Sequence, residues 1–312
     1  ERFNPREQAQ FNIQHMGGRF DEYEAAHEAY VSARDRLARN LPKGVRAQWI
    51  DRSFLPTFTF DESDVVVTLG PDGVVVNTAK YLDGQPLVAL NPDPARIDGV
   101  LLPFHVPAAN EAIRIALSGR RVWRGITMAQ ATLNDGQTLL AVNDLFLGQK
   151  THVSARYTIR YGHQEERQSS SGIIISTGAG STGWHRSVLT GASKIMEAFA
   201  DSEGVRAARD QYRFDWESDY LVFSVREPFI SKTSGAEIVY GRIEADAPLE
   251  VVSHMPQNGV IFSDGVEEDN LAFNSGAIAR IGLAERKLHL VVPPGQAEHG
   301  RRNWAESAPC SL

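Results

Sequence analysis

The stretch VVVTLGPDGVVVNTA, residues 65–79, decides the fold because it admits two incompatible readings. In the first it is a β-hairpin. Two valine-rich runs flank Gly70-Pro71-Asp72-Gly73, where proline presets φ, the aspartate bonds its local backbone and Gly73 accepts φ > 0. In the second it is a buried strand ending at Gly70, a tight loop that lets a phosphate approach the backbone, and a helix starting near Val74. Local turn chemistry taken alone favours the hairpin.

The surrounding chain supplies context. Its 312 residues suffice for one large domain or two ordinary ones, each with a core. Hydrophobic residues make up 42% and charged residues 23%, the composition of a globular protein. A net charge of −7 repels nucleic acid and anionic membranes, although local basic pockets for phosphates stay compatible with it. One cysteine, Cys310, excludes a disulfide framework and a cysteine-based zinc site, so a reducing compartment and a cytoplasmic location are expected. No apolar run approaches the roughly 18 residues of a membrane span, and Glu-Arg-Phe-Asn at the start resembles no targeting sequence.

Along residues 1–45, Ala25, Ala26, Tyr30, Ala33, Leu37 and Leu41 recur at helical spacing among charges, which predicts a solvated amphipathic helix stopped by Pro42-Lys43-Gly44. Short strands are expected at 45–50, 65–69 and 87–90. Their alternation with helices suggests a parallel α/β sheet over 45–104. A helix at 108–117 follows. Strand character then dominates at 122–133, 137–146, 154–161, 172–176, 220–225, 237–240, 249–253 and 277–282, with a helical insertion near 184–209. The expected organisation is an α/β unit at 1–104, a β-rich, sandwich-like unit at 105–286 and a C-terminal segment at 287–312, with an apolar run at 288–292. The tail from Gly300 is expected to be loosely held.

A second glycine loop follows the 172–176 run. Gly178-x-Gly180-x-x-Gly183 matches the dinucleotide fingerprint, but the acidic residue expected at the end of a second strand some 20 residues on falls in a helical pattern. On the motif alone, a glycine-rich strand-to-helix turn is the better explanation of the match. Ser181 and Thr182 ahead of a helix make an anion- or ribose-friendly surface. Trp184 is either a stacking platform for a ligand ring or a packing aromatic. His185 reads as a polar surface or pocket-wall residue.

Several segments, in order, then resemble the NAD kinase family, in particular the divergent branch that includes the animal mitochondrial enzymes. Gly70-Pro71-Asp72-Gly73 stands where the family has Gly-Gly-Asp-Gly. Asn91-Pro92-Asp93-Pro94 is similar to its Asn-x-Asp-Pro, and Asn143-Asp144 stands where it has Asn-Glu. The segment from Ser176 to Trp184 resembles its Thr-Gly-x-Gly-Ser loop, and Phe223-Ser224-Val225-Arg226-Glu227-Pro228 its Phe-Ser-x-Arg-Glu-Pro. Phe262-Ser263-Asp264-Gly265 and Phe273-Asn274-Ser275-Gly276-Ala277 are similar to its C-terminal elements. The resemblance runs from about Asp64 to Leu290 and resolves the opening question in favour of strand, loop and helix. It implies an N-terminal α/β domain, a C-terminal β-rich domain and a ligand cleft between them, with the chain's end packing back on the first domain.

The activity implied is transfer of the γ-phosphoryl of ATP, or of polyphosphate, to the 2′-hydroxyl of the adenosine ribose of NAD, with Mg²⁺ carried in by the nucleotide. By the resemblance Asp72 is the general base and Gly70, Pro71 and Gly73 form the donor-phosphate loop. Asn143, Asp144, Gly180, Ser181, Thr182, Trp184 and Asp264 serve the dinucleotide, no residue is a dedicated metal ligand, and the assembly is a homodimer or homotetramer. Two positions depart from the family: Pro71 removes a backbone donor from the diagnostic loop, and Asp144 is one methylene shorter than glutamate. A nucleotide-binding relative with weak, altered or lost kinase activity is therefore a rival reading. Others are an NAD-dependent oxidoreductase built on Gly178–Gly183 and a lipid or sugar kinase that keeps only the donor loop.

Overall fold

Residues 65–79 form a strand, a two-residue loop and a helix. Valines support strand pairing before Gly70. After it Pro71, at φ −70°, occupies the position that opens a helix. The helix begins at Asp72, two residues before the expected start, so Gly73 lies within it. In the computed structural model, residues 6–296 are described apart from 121, 201–202 and 211; Cys310 and the tail from Gly300 lie outside the described residues. The elements in chain order are α1 (Arg6–His15), α2 (Phe20–Arg39), β1 (Val66–Leu69), α3 (Asp72–Ala79), β2 (Pro86–Asn91), β3 (Phe104–His105), α4 (Ala109–Leu117) and β4 (Trp123–Ile126). There follow β5 (Ala129–Leu133), β6 (Thr138–Ala141), β7 (Asp144–Gln149), β8 (Ala155–Tyr161), β9 (Gln164–Ser170), β10 (Ile173–Ser176), α5 (Trp184–Phe199) and α6 (Glu203–Asp210). The last are β11 (Tyr220–Val225), β12 (Tyr240–Glu244), β13 (Leu249–Ser253), β14 (Gly259–Ser263), β15 (Val266–Ala272), β16 (Ile278–Leu283) and β17 (Leu288–Val291).

The first sheet has five strands. β1, β2 and β3 are parallel, β17 pairs parallel with β2, and β4 closes the far edge antiparallel to β17. One face is covered by α2 and α4, where Ala33 and Leu37 join Val88, Leu90, Ala112 and Ile113. Burying Leu37 is worth about 1.5–3 kcal/mol, so α2 is docked and only its outer face is solvated. The other face carries α3, whose Val75, Val76 and Ala79 share a cluster with Val142 and Ala179. That cluster ties the opening stretch to the second glycine loop.

Two six-stranded antiparallel sheets make up the β-rich region, in the orders β12-β11-β10-β7-β14-β15 and β6-β5-β16-β13-β8-β9. Their facing side chains, among them Leu145, Leu147, Tyr157, Ile173, Phe223, Val251, Phe273 and Ile281, form the largest core cluster. The molecule is thus an α/β layer followed by a β-rich, antiparallel one.

Two local expectations are corrected and one strand is added. Residues 45–50 form no strand: Val45 and Trp49 are exposed and have no strand to pair with. The strand expected at 237–240 lies at Tyr240–Glu244, where the chain pairs with β11. β9 was not foreseen because QEERQSS lacks apolar alternation. It is an edge strand whose inward residues bond across to neighbouring segments: Gln168 Nε2 donates to the Ile238 carbonyl, leaving its Oε1 without a partner, and Ser170 pairs with the Tyr157 hydroxyl.

Candidate functional site

The loop between β1 and α3 leaves the carboxyl end of a parallel strand, the place where open α/β sheets bind ligands. Pro71 and Gly73 are exposed, and a Cβ at Gly73 would meet nothing within 4 Å. Asp72 occupies the first turn of α3. Its Oδ1 accepts the Leu101 N–H at 2.6 Å. The loop bearing Leu101 is shaped by Asn91, whose Oδ1 accepts the Asp93 N–H at 2.9 Å and whose Nδ2 donates to the Ile97 carbonyl at 2.9 Å. The Asn-Pro-Asp-Pro motif therefore builds the support for Asp72.

A second group of residues is organised by Asp264. β14 and β15 are joined by the two residues Asp264 and Gly265, at φ +54° and +72°. Asp-Gly is the favoured pair for such a hairpin turn. The turn aims the Asp264 side chain inward, fully buried. Its Oδ1 accepts the N–H groups of Asn143 (2.7 Å) and Asp144 (3.3 Å), and its Oδ2 that of Val142 (3.2 Å). Three successive amides are fixed by one carboxylate. Burial pushes the Asp264 carboxyl upward, opposed by the Lys80 ammonium and these three N–H groups.

The second glycine loop folds over the same backbone. Thr177 N–H donates to the Asn143 carbonyl at 2.9 Å, and the Thr177 hydroxyl donates to the Val142 carbonyl. A Cβ at Gly180 would lie 2.2 Å from the Asn143 carbonyl oxygen, and one at Gly178 only 1.9 Å from that of Asp215. Both glycines are thus required by backbone contact. Ser181 is fully buried and its hydroxyl donates to the Gly178 carbonyl at 2.7 Å, so it braces the loop from within. Thr182 is half-buried and Gly183 exposed.

Asp144 sits beneath this loop. Its Oδ1 is closed off from solvent without a hydrogen-bond partner, and would meet a Cβ at Gly180 at 2.8 Å. Burial pushes its carboxyl up to about 7; the nearby Ser176 hydroxyl opposes this and the Asp264 charge adds to it. Trp184 stacks on Phe146 (centroids 5.6 Å apart) and Phe262 (6.4 Å), and the Arg226 guanidinium lies 5.3 Å from its ring. The His185 expectation is corrected: the ring is buried against Phe214 and Tyr240, and burial lowers its pKa to about 4.

Two solved structures share this architecture. Yeast NADH kinase complexed with NADH aligns with a TM-score of 0.57 at 15% identity, over 80% of this chain and 68% of that one. An NAD kinase from Archaeoglobus fulgidus in complex with ATP aligns with a TM-score of 0.54 at 15% identity, over 76% and 81%. The chain has the NAD kinase fold. No protein-family model and no curated protein matches its sequence.

Within the NAD kinase fold the Gly178–Gly183 match loses its Rossmann meaning. β10, which leads into it, is antiparallel to both neighbours, so no βαβ unit exists there. Two groups of residues escaped sequence reasoning. One is Lys80, at the C-terminal end of α3. The other is Arg124 of β4, which holds Asp215 through two contacts at 2.7 and 2.8 Å while its guanidinium lies 4.8 Å from the Trp216 ring. Asp215 is also the residue whose carbonyl Gly178 abuts, so this pair ties the second loop to the first sheet. A single charge within each of two largely apolar segments gave no signal of either. Among the described residues, no group of three His, Cys, Asp or Glu is placed to hold a metal ion, and no helix is long and apolar enough to cross a membrane.

Proposed function

We propose that the chain is an NAD kinase-like phosphotransferase that moves the γ-phosphoryl of ATP, or of polyphosphate, to the 2′-hydroxyl of the adenosine ribose of NAD, giving NADP. The observation that carries this reading is the span of α3. Its N-terminus bears Asp72 and the open Gly70-Pro71-Asp72-Gly73 loop, and its C-terminus is joined through Lys80 to Asp264, which fixes Asn143 and Asp144.

In this reading Asn143 and Asp144 hold the adenosine part of NAD, with Thr182, Gly183 and Trp184 at the edge of the same surface. Gly180, Ser181 and Asp264 keep that surface in place. Leu101 N–H orients Asp72 through Oδ1, and Oδ2 takes the proton from the ribose hydroxyl as its oxygen attacks the γ-phosphorus and ADP leaves. The N–H groups of Asp72 and Gly73 at the start of α3, with Gly73 presenting no side chain, receive the donor phosphates, while Val74 N–H is held by the Pro71 carbonyl at 2.9 Å. Mg²⁺ bound to the nucleotide would neutralise charge on the transferring group. One carboxylate in this loop suits a metal that arrives with its nucleotide rather than a protein cage. A cytoplasmic location and a homodimeric or homotetrameric assembly belong to the same reading. Exposed Ile195, Met196 and Phe199 on α5 offer apolar surface for such an interface.

A second reading, a dinucleotide-binding relative without phosphoryl transfer, is favoured by one observation. Pro71 stands at the N-terminal cap of α3 and offers no N–H where a donor phosphate would lie. Incubation with ATP or polyphosphate, Mg²⁺ and NAD separates the two. NADP formation supports the kinase reading, NAD binding without NADP supports the second, and no binding of NAD removes both.

A further inference from the structure

Lys80 is 7% exposed. Its Nζ donates to Ser263 Oγ at 2.6 Å and to Asp269 Oδ2 at 3.2 Å, and lies 3.6 Å from Asp264 Oδ2. A buried ammonium is costly unless paired, and a buried carboxylate equally so. Lys80 therefore favours the charged form of Asp264 against burial, and a carboxylate is the stronger acceptor for the three backbone amides. The charged and titratable groups around it are Lys80 from α3, Asp144 from β7 and Asp269 from β15, with Tyr81 beside Asp269. Arg286 holds the Lys80 carbonyl at 2.8 Å and fixes that end of the helix.

Resting on the functional reading above, we propose that Lys80 is a positioning residue for the dinucleotide: by holding the Asp264 carboxylate in place it fixes the backbone of 142–144 and thereby the presentation of Asn143 and Asp144. Because Lys80 ends the helix that Asp72 begins, the same pair also sets the spacing between the donor loop and the acceptor residues. Its other partner, Asp269, is partly exposed and touches none of the three amides, so the effect runs through Asp264.

The test uses Lys80→Met, Lys80→Arg, Asp264→Asn and the Lys80→Met/Asp264→Asn double variant, with two readouts. Hydrogen exchange of the Asn143 amide, without ligand, reports the clamp itself. Exchange is expected to be about tenfold or more faster in Lys80→Met, near the parent rate in Lys80→Arg, and no faster in the double variant than in Asp264→Asn alone. Calorimetric titration with NAD reports the consequence. Kd is expected to rise about tenfold or more in Lys80→Met, and its weakening on acidification to begin at higher pH, because Asp264 without its cation takes up a proton sooner.

Unchanged Asn143 exchange in Lys80→Met would overturn the proposal. So would an equal added effect of Lys80→Met in the Asp264→Asn background, which would mean that Lys80 acts elsewhere. Lys80→Gln carries the same test where Lys80→Met does not fold. If the parent protein binds no NAD, the functional reading fails while the exchange data still decide whether Lys80 sets the clamp. Altered exchange with unaltered NAD affinity would limit Lys80 to a structural role and overturn the positioning claim.

Discussion

The chain carries two glycine-bearing loops between a strand and a helix, and they are glycine-rich for opposite reasons. At 70–73 the outer positions stand open: Pro71 and Gly73 are exposed and a side chain at Gly73 would meet nothing, while Gly70 is buried and a Cβ there would meet the Val74 side chain at 2.8 Å. At 178–183 the loop is pressed onto other backbone, and Gly178 and Gly180 leave no room for a Cβ against the carbonyls of Asp215 and Asn143. The first loop has surface to offer a ligand, whereas most of the second is scaffold. Substitutions in the open loop should read out chemistry, and those in the packed loop stability.

The sharpest break of that contrast is Gly180→Ala. Its methyl would enter the Asn143 carbonyl, and backbone cannot yield as a flexible side chain does. A loss of more than about 3 kcal/mol is expected in denaturant unfolding. A stable Gly180→Ala protein would mean that the packed loop is looser than described.

Asp144 comes next, because it combines the two roles. Its folded-state pKa, near 7, lies above its ordinary value. Between the two values the folded protein keeps a proton that the unfolded chain releases, so its contribution to stability falls as pH rises and the full cost stands above about 7. Asp144→Asn should therefore be more stable than the parent by on the order of 2–4 kcal/mol at pH 8, with the difference vanishing towards pH 4. It should also bind NAD more weakly. His185, lowered to about 4, shifts the pH dependence of the whole protein the other way below pH 6.5, so the difference between variant and parent is the quantity to measure. A variant less stable than the parent at pH 8 would show that the Asp144 carboxylate is satisfied in the fold.

Trp184→Ala follows. The ring is already engaged by Phe146, Phe262 and Arg226, so the main loss is expected in thermal stability, about 2–3 kcal/mol for a half-buried tryptophan. A loss of NAD affinity exceeding the loss of stability would turn this packing residue into a ligand platform. Pro71→Gly is the smallest effect. At φ −70° proline fits without strain, so glycine should cost about 0.4–1 kcal/mol through the unfolded state. A fall in KM for ATP on top of that would show that the missing N–H faces the donor.

The sequence made the α/β-then-β order legible because valine runs, Pro-Asp-Gly and alternating apolar residues are local signals. It marked Asp72, Asn143 and Asp264 through motifs, but not what they touch. That Asp264 turns inward follows from an Asp-Gly hairpin placed against residues 120 positions away, and no local pattern records such a meeting. Lys80 was invisible for the same reason: a lysine after a helical run reads as solvated until the β14–β15 turn closes over it. The 45–50 run failed as a strand for want of a neighbour, and β9 was hidden by inward glutamine and serine.

The central claim, that the open loop does the chemistry while the packed loop keeps the dinucleotide-binding residues in place, is tested most directly by comparing the parent with Asp72→Asn. The amide keeps an acceptor for Leu101 N–H and removes only the base. With ATP, Mg²⁺ and NAD, phosphorus NMR should show phosphate appearing on the adenosine ribose in the parent. In Asp72→Asn, kcat should fall about 10²–10⁴-fold with KM for NAD unchanged. Equal turnover in the two proteins, or a variant that loses NAD binding and turnover together, would contradict it.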